Sequence, residues 1–195
     1  MLADKPQPNY NPATKSTTVS LAAGKNEWVG FLVCVRGDEP MTGFVPSVTQ
    51  SLSHSGDTID DSNTLFYLLH NHEVTERANT YAPPGTYPDA AVPYRDVYYN
   101  EVRDGTEAGW GQTVAADTTR VFFVEIYVPS TAAPGQYTGT ARLTSNNGAL
   151  VQDLEVTLNV WDFALPEQWS LKNLWGVEGA YWAMDGTAFG GRDDD

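Results

Sequence analysis

Between residues 119 and 162 the apolar positions follow a two-residue rhythm that is interrupted twice. Val121, Phe123, Glu125 and Tyr127 alternate with Phe122, Val124, Ile126 and Val128, so both faces of this run are largely apolar. That pattern suits a central strand of a packed sandwich better than a half-exposed edge. The stretch from Pro129 to Gly135 then withholds backbone donors at two prolines and ends on a glycine able to take positive φ, which stops the strand and turns it. A second strand is predicted over 137–144. Asn146, Asn147 and Gly148 supply the residues of a tight hairpin, and Leu150, Gln152, Leu154, Val156, Leu158 and Val160 return on one side of a third strand. Asp153, Glu155, Thr157 and Asn159 make the opposite row, expected to face water.

Upstream, residues 17–21 and 27–36 read as strands joined by a turn over 22–26, and 65–74 reads as another. Residues 41–53 read as an irregular strand interrupted by Gly43 and Pro46. The segment 80–118 carries Pro83, Pro84, Pro88 and Pro93 among many tyrosines, with too little periodicity for a strand, and is expected to be a long loop that is functional or packed against something. No window keeps apolar residues at helical spacing for three turns. The fold expected is therefore all-β: an antiparallel two-sheet β-sandwich, jelly-roll or immunoglobulin-like, over 1–164, followed by an irregular aromatic tail over 165–195.

A chain of 195 residues fits one domain and hides about 70% of its extended surface on folding, so a core needs no metal or disulfide staple. The 25 acidic against 11 basic side chains leave a net charge of −14, which repels phosphate backbones and anionic membranes and argues against nucleic acid as a partner. No run of 18 apolar residues offers a membrane span. The first ten residues are polar and contain Pro6 and Pro8, unlike a signal peptide or an anchor. Cys34 stands alone between Val33 and Val35, which excludes an internal disulfide and predicts a small buried apolar residue.

Few residues suggest chemistry. His70 and His72 share a strand face and could reach one metal, but with His54 the only other histidine the ligand set is incomplete, so neither metal nor cofactor is expected. Asp57, Asp60 and Asp61 lack the spacing of a calcium loop and read as a solvated turn. Carboxylate pairs are available among Asp89, Asp96, Glu101, Asp104 and Glu107, yet an acidic chain supplies many such pairs by accident, and no nucleophile elbow or zinc motif accompanies them. The aromatics are more informative. Tyr94, Tyr98, Tyr99 and Trp110 are candidate platforms for the apolar faces of sugars, with core packing as the alternative. Trp169, Trp175, Tyr181 and Trp182 crowd the tail and are candidates for a partner or assembly contact.

Taken in order, NEWVGFLVCVRG, YPDAAVPYRD, VFFVEIYVPSTAAPGQYTGTARLTSNNG and LEVTLNVWDFALPEQWSLKNLWG resemble the amino-terminal β-sandwich of proteins similar to glycoside hydrolase family 123, the β-N-acetylgalactosaminidases and their relatives. The resemblance spans residues 17–176 and is most specific in PGQYTG and WDFALP. In that family a (β/α)8 barrel follows the sandwich and carries the acid pair, so the resemblance implies that this stretch has no catalytic residues of its own. It implies a non-catalytic accessory domain that supports a glycosidase barrel, with a possible glycan contact, in a secreted, periplasmic or cell-surface protein. The rival readings are a self-assembling structural sandwich, homo-oligomeric through its tail or an edge strand, and an independent carbohydrate-binding module.

Overall fold

A computed structural model describes residues 10–11, 16–76, 83–105 and 109–167 of the chain. The chain divides into two units at Leu165 and Pro166, and the first is described here. Its strands are β1 (Tyr10–Asn11), β2 (Ser16–Lys25), β3 (Glu27–Arg36), β4 (Val45–His54), β5 (Asp57–Ile59), β6 (Thr64–Val74), β7 (Gly85–Pro93), β8 (Arg95–Asp96), β9 (Glu101–Val102), β10 (Thr119–Val128), β11 (Gly135–Ser145) and β12 (Leu150–Ala164). One 3-10 turn, Asp61–Asn63, joins β5 to β6. The described fold is an all-β sandwich.

The larger sheet runs β1-β2-β12-β11-β4-β5 and the smaller β3-β10-β6-β7, while β8 and β9 make a separate two-stranded hairpin. Within the two sheets β11 lies between β12 and β4, and β10 lies between β3 and β6. These are the G-F-C and B-E-D neighbourhoods of an immunoglobulin-like sandwich. Every named pairing is antiparallel except that of β2 with β12, which run parallel from Ser16 opposite Asp153 onward. The strand order thus favours the immunoglobulin-like arrangement over a jelly roll.

The core follows the period-two rhythm. Phe122, Val124, Ile126 and Val128 of β10 face Leu154, Val156, Leu158 and Val160 of β12, and all eight are buried. Each such side chain contributes about 1.5–3 kcal/mol when taken from water. Asp153, Glu155, Thr157 and Asn159 lie on the outer face, as expected, and are exposed or half-buried. β10 is central, flanked by β3 and β6. Its outer row is only half-covered, by its own neighbours: the Phe123 ring lies across Gly30, where an added Cβ would stand 2.5 Å from its Cζ.

The structure departs from the sequence reading in four places. Ala22 to Lys25 extend β2 instead of forming a turn, and Asn26 alone, at φ 61°, carries the chain from one sheet to the other. Asparagine tolerates that left-handed conformation, so one residue suffices for the corner. Residues 85–93, expected in a loop, form β7 at the edge of the smaller sheet; Pro88 sits beside a register shift between Leu69 and Asn71, where the lost donor costs no ladder bond. The irregular strand begins only at Val45, its pairing with β11 shifted in register between Thr138 and Thr140 and again between Thr140 and Ala141, while Met41 makes an isolated bridge to Val114. Cys34 is exposed, because the inward face of β3 is that of Val33, and Cys34 takes the opposite side of the pleat.

Candidate functional site

Three clusters of polar and aromatic side chains stand out from the sandwich, and they differ in what they bury. The first surrounds PGQYTG. Tyr137, 0% exposed, donates its hydroxyl to Asp57 Oδ2 at 2.5 Å and to Ala133 O at 3.0 Å, and Asp57 Oδ2 also accepts from Ala133 N at 2.8 Å. A tyrosine at the start of β11 bonded to backbone four residues upstream is the tyrosine corner of immunoglobulin-like sandwiches. His54 closes the cluster, its ring 5.4 Å from that of Tyr137 and its Nδ1 3.0 Å from Gln136 O. Gly135 is required beneath it: at φ 146°, a Cβ would fall 2.3 Å from His54 Nε2. The Ala133 amide and the Tyr137 hydroxyl hold the Asp57 carboxyl below its ordinary pKa. Burial, reinforced by Asp57, pushes the Tyr137 phenol up to about 12. This cluster fastens β5 to the β10–β11 turn, with Tyr137 buried and His54 and Asp57 half-buried. Asp57 therefore belongs to the framework, and Asp60 caps the 3-10 turn by accepting from Ser62 N at 2.8 Å.

The second cluster lies where β12 ends. Lys25 Nζ meets Asp162 at 3.1 Å, Leu165 N donates to Lys25 O at 2.8 Å, and Asn26 Nδ2 donates to Leu165 O at 3.0 Å. Tyr127 donates its hydroxyl to Asn26 Oδ1 at 2.6 Å, and its ring stands 5.1 Å from Trp28. The Phe163 ring covers Gly24 so closely that a Cβ there would be 2.7 Å away. The backbone is thus tied down through WDFALP. Trp28, Trp161, Phe163 and Leu165 are nevertheless each 40–49% exposed, with Trp161 and Phe163 stacked at 5.7 Å. This firmly held strand end thus shows a substantial apolar surface.

The third is the β8–β9 hairpin. Asp96 Oδ1 accepts from the amides of Tyr98 at 3.0 Å and Tyr99 at 3.1 Å, and its Oδ2 accepts from Arg103 at 2.5 Å. Led by the Tyr99 amide and then by Arg103, these bonds hold the Asp96 carboxyl below its ordinary pKa. Arg95 donates to Asn100 Oδ1 across the turn, and Asn100 takes φ 56°. The hairpin overhangs a cleft of about 710 Å³ where the two sheets part, walled by Pro46, Leu65, Phe66, Tyr67, Tyr94 and Val97 among others. Val97 and Asn100 line the cleft, whereas Tyr98 and Tyr99, the two turn residues between them, do not.

The four aromatic candidates separate accordingly. Tyr98 and Tyr99 are 85% and 67% exposed, paired edge to face at 4.9 Å. Tyr94 is half-buried and lines the cleft, its amide donating to Phe66 O at 2.8 Å. Trp110 is 0% exposed, packed on Tyr94 and Phe122 and donating to Val92 O at 3.1 Å. That burial removes it from any surface and makes it the floor on which Tyr94 rests. His70 and His72 both face solvent on β6, and among the described residues no cluster of three His, Cys, Asp or Glu could hold a metal. Trp169, Trp175, Tyr181 and Trp182 lie outside the described residues. Sequence reasoning passed over Trp28, Trp161 and Phe163. The stacked pair at i and i+2 was the available signal, since strand residues so spaced share a face.

No family model matches the sequence, and no curated protein is detectably similar to it. Among solved structures, the chain is similar to a family 123 glycoside hydrolase from Clostridium perfringens, with a TM-score of 0.58 at 16% identity; the match covers 76% of this chain and 24% of the enzyme. The chain therefore spans about a quarter of that protein's length. The N-terminal domain of PorA matches at a TM-score of 0.37 and 11% identity, covering 81% of this chain and 92% of that one. The CooA pilin subunit of enterotoxigenic Escherichia coli matches at 0.31 and 12%, covering 73% and 90%. At these identities the likeness to the glycoside hydrolase establishes a shared fold.

Proposed function

We propose that this chain is the non-catalytic accessory β-sandwich of a glycoside hydrolase-like, carbohydrate-active protein, and that it braces a neighbouring catalytic domain. The observation that carries this reading is the corner at the end of β12. Lys25, Tyr127 and Asp162 from three strands, with the flanking Asn26 and Leu165, are hydrogen-bonded or ion-paired there, yet Trp28, Trp161, Phe163 and Leu165 stay open to solvent. Interfaces between domains bury such aromatic anchors within a polar rim, and Lys25, Asn26 and Asp162 supply that rim. The shared fold with part of a family 123 glycoside hydrolase supports the kind of neighbour expected. The turn amides and Arg103 hold Asp96 below its ordinary pKa, and the tyrosine corner does the same for Asp57, which suits neither to the general-acid role in hydrolysis.

Two measurements test the proposal. The 195-residue chain should not hydrolyse aryl β-N-acetylgalactosaminides, and turnover abolished by replacing one Asp or Glu would overturn the assignment. In the longer polypeptide that this reading requires, replacing Trp161 and Phe163 with alanine should split one calorimetric unfolding transition into two. An unchanged single transition would count against bracing at this corner, and a stable homo-oligomer formed through it would favour the self-assembling reading.

A further inference from the structure

The tip of the β8–β9 hairpin is a second surface, and the bracing role leaves it unused. Ordering a turn costs conformational entropy, which burial normally offsets. Here one aspartate accepts from two successive amides and a guanidinium, and a second cross-turn bond ties Arg95 to Asn100, yet the two residues so fixed are 85% and 67% exposed. Scattered exposed aromatics are unremarkable in folded proteins, but an edge-to-face pair on a backbone tied at both amides, in a turn whose flanking residues line a cleft, is not explained by packing. From this arrangement we infer that Tyr98 and Tyr99 form a stacking platform for neutral saccharide, with the cleft beneath Val97 and Asn100 receiving the adjoining part of the ligand. The inference rests on the carbohydrate-active reading above and adds to it a binding site and a ligand class.

Three features select that class. Tyrosine presents an apolar ring face to the C–H face of a pyranose and a hydroxyl to its polar edge. Because the rings stand at 83° to one another, one can lie under a sugar while the other flanks it. The cleft adds residues that suit a polyol, Asp61, Ser62, Arg95, Asp96 and Asn100, whose two carboxylates outnumber the one guanidinium, around a mostly apolar wall. The net charge of −14 disfavours sialylated or sulfated glycans and leaves neutral ones. Two side chains at a convex tip are also too small an area for a stable protein interface, which needs about 800 Å² from each partner.

Binding would be read by titration calorimetry on the 195-residue chain with methyl β-N-acetylgalactosaminide, N-acetyllactosamine, laminarihexaose and 3′-sialyllactose as probes. At least one neutral probe should bind, the sialylated probe should bind more weakly, and Tyr98→Ala with Tyr99→Ala should weaken the neutral probe by about ten-fold or more with an unchanged melting temperature. Tyr98→Phe with Tyr99→Phe should retain most of the affinity. No affinity for any neutral probe at millimolar concentration, or affinity indifferent to the alanine pair, would overturn the platform. So would footprinting that shows both tyrosines covered by protein in the longer polypeptide. None of these results bears on the corner at the end of β12, whose test is calorimetric, so the two failures remain distinguishable.

Discussion

The tyrosine corner and the β8–β9 hairpin use one device for opposite ends. In each, an aspartate accepts from backbone amide and thereby sets the position of a tyrosine: Asp57 with Ala133 and Tyr137, Asp96 with Tyr98 and Tyr99. At the corner the tyrosine is sealed between the sheets and its hydroxyl is consumed by two acceptors. At the hairpin only the backbone is consumed, and both rings are left over. Order combined with burial contributes to stability, whereas order combined with exposure presents a surface, and the contrast separates framework from candidate site within a single chain.

The contrast can be broken most sharply at Tyr137. Tyr137→Ala removes a fully buried ring and should cost about 3–5 kcal/mol in urea unfolding, enough to unfold much of the population; a loss under about 1 kcal/mol would mean that the corner is not part of the framework. Next in size, Asp57→Ala should lower the melting temperature of the whole sandwich, because it strips the partner from the Ala133 amide. Asp96→Ala should lower the melting temperature by less than Asp57→Ala does and chiefly speed amide exchange at Tyr98 and Tyr99. Equal effects on melting would erase the distinction between the two aspartates.

Titration sharpens the same pair. Both carboxyls lie below their ordinary value of 3.8 in the folded chain, so the unfolded chain binds protons first and stability rises with pH in that range. Their contribution is complete above 3.8 and fades as pH falls through the lower folded values. Tyr137 has the opposite sign. Its folded pKa, raised from 10.0 to about 12, keeps its contribution whole below 10, and that contribution drains away as pH climbs toward 12. Melting curves across pH 2–5 and 9–12 should show both flanks, and Tyr137→Phe should remove the alkaline one and, by taking one donor from Asp57, shrink the acid one without abolishing it. Smallest of all, Tyr98→Ala and Tyr99→Ala should shift stability by no more than about 0.5 kcal/mol. A larger loss would mean that the exposed rings pack against something.

Much of this architecture was legible from residue pattern alone, and the failures have physical causes. β10, β11 and β12 declared themselves because one apolar row must face the core and period two allows no other face. β7 did not, because Pro88 and Pro93 suppress strand signals and only the pairing with β6 reveals an edge strand that tolerates them. Cys34 was misplaced because EWVGFLVCVR is apolar on both faces and the pattern gives no sign of which side is inward. Trp110 and Tyr98 sit in the same proline-rich segment with similar composition, yet one is fully buried in the core and the other is 85% exposed. Distance along the chain carried no information about that difference; Phe122, which packs on Trp110, comes from β10.

The parallel union of β2 and β12 has a mechanical consequence. Tension drawn between the start of the first of these strands and the finish of the last runs along their common direction, so the rungs from Ser16 with Asp153 to Ala23 with Val160 are loaded in shear, together, not peeled apart one after another. A module wired this way resists stretching until its ladder gives as a unit.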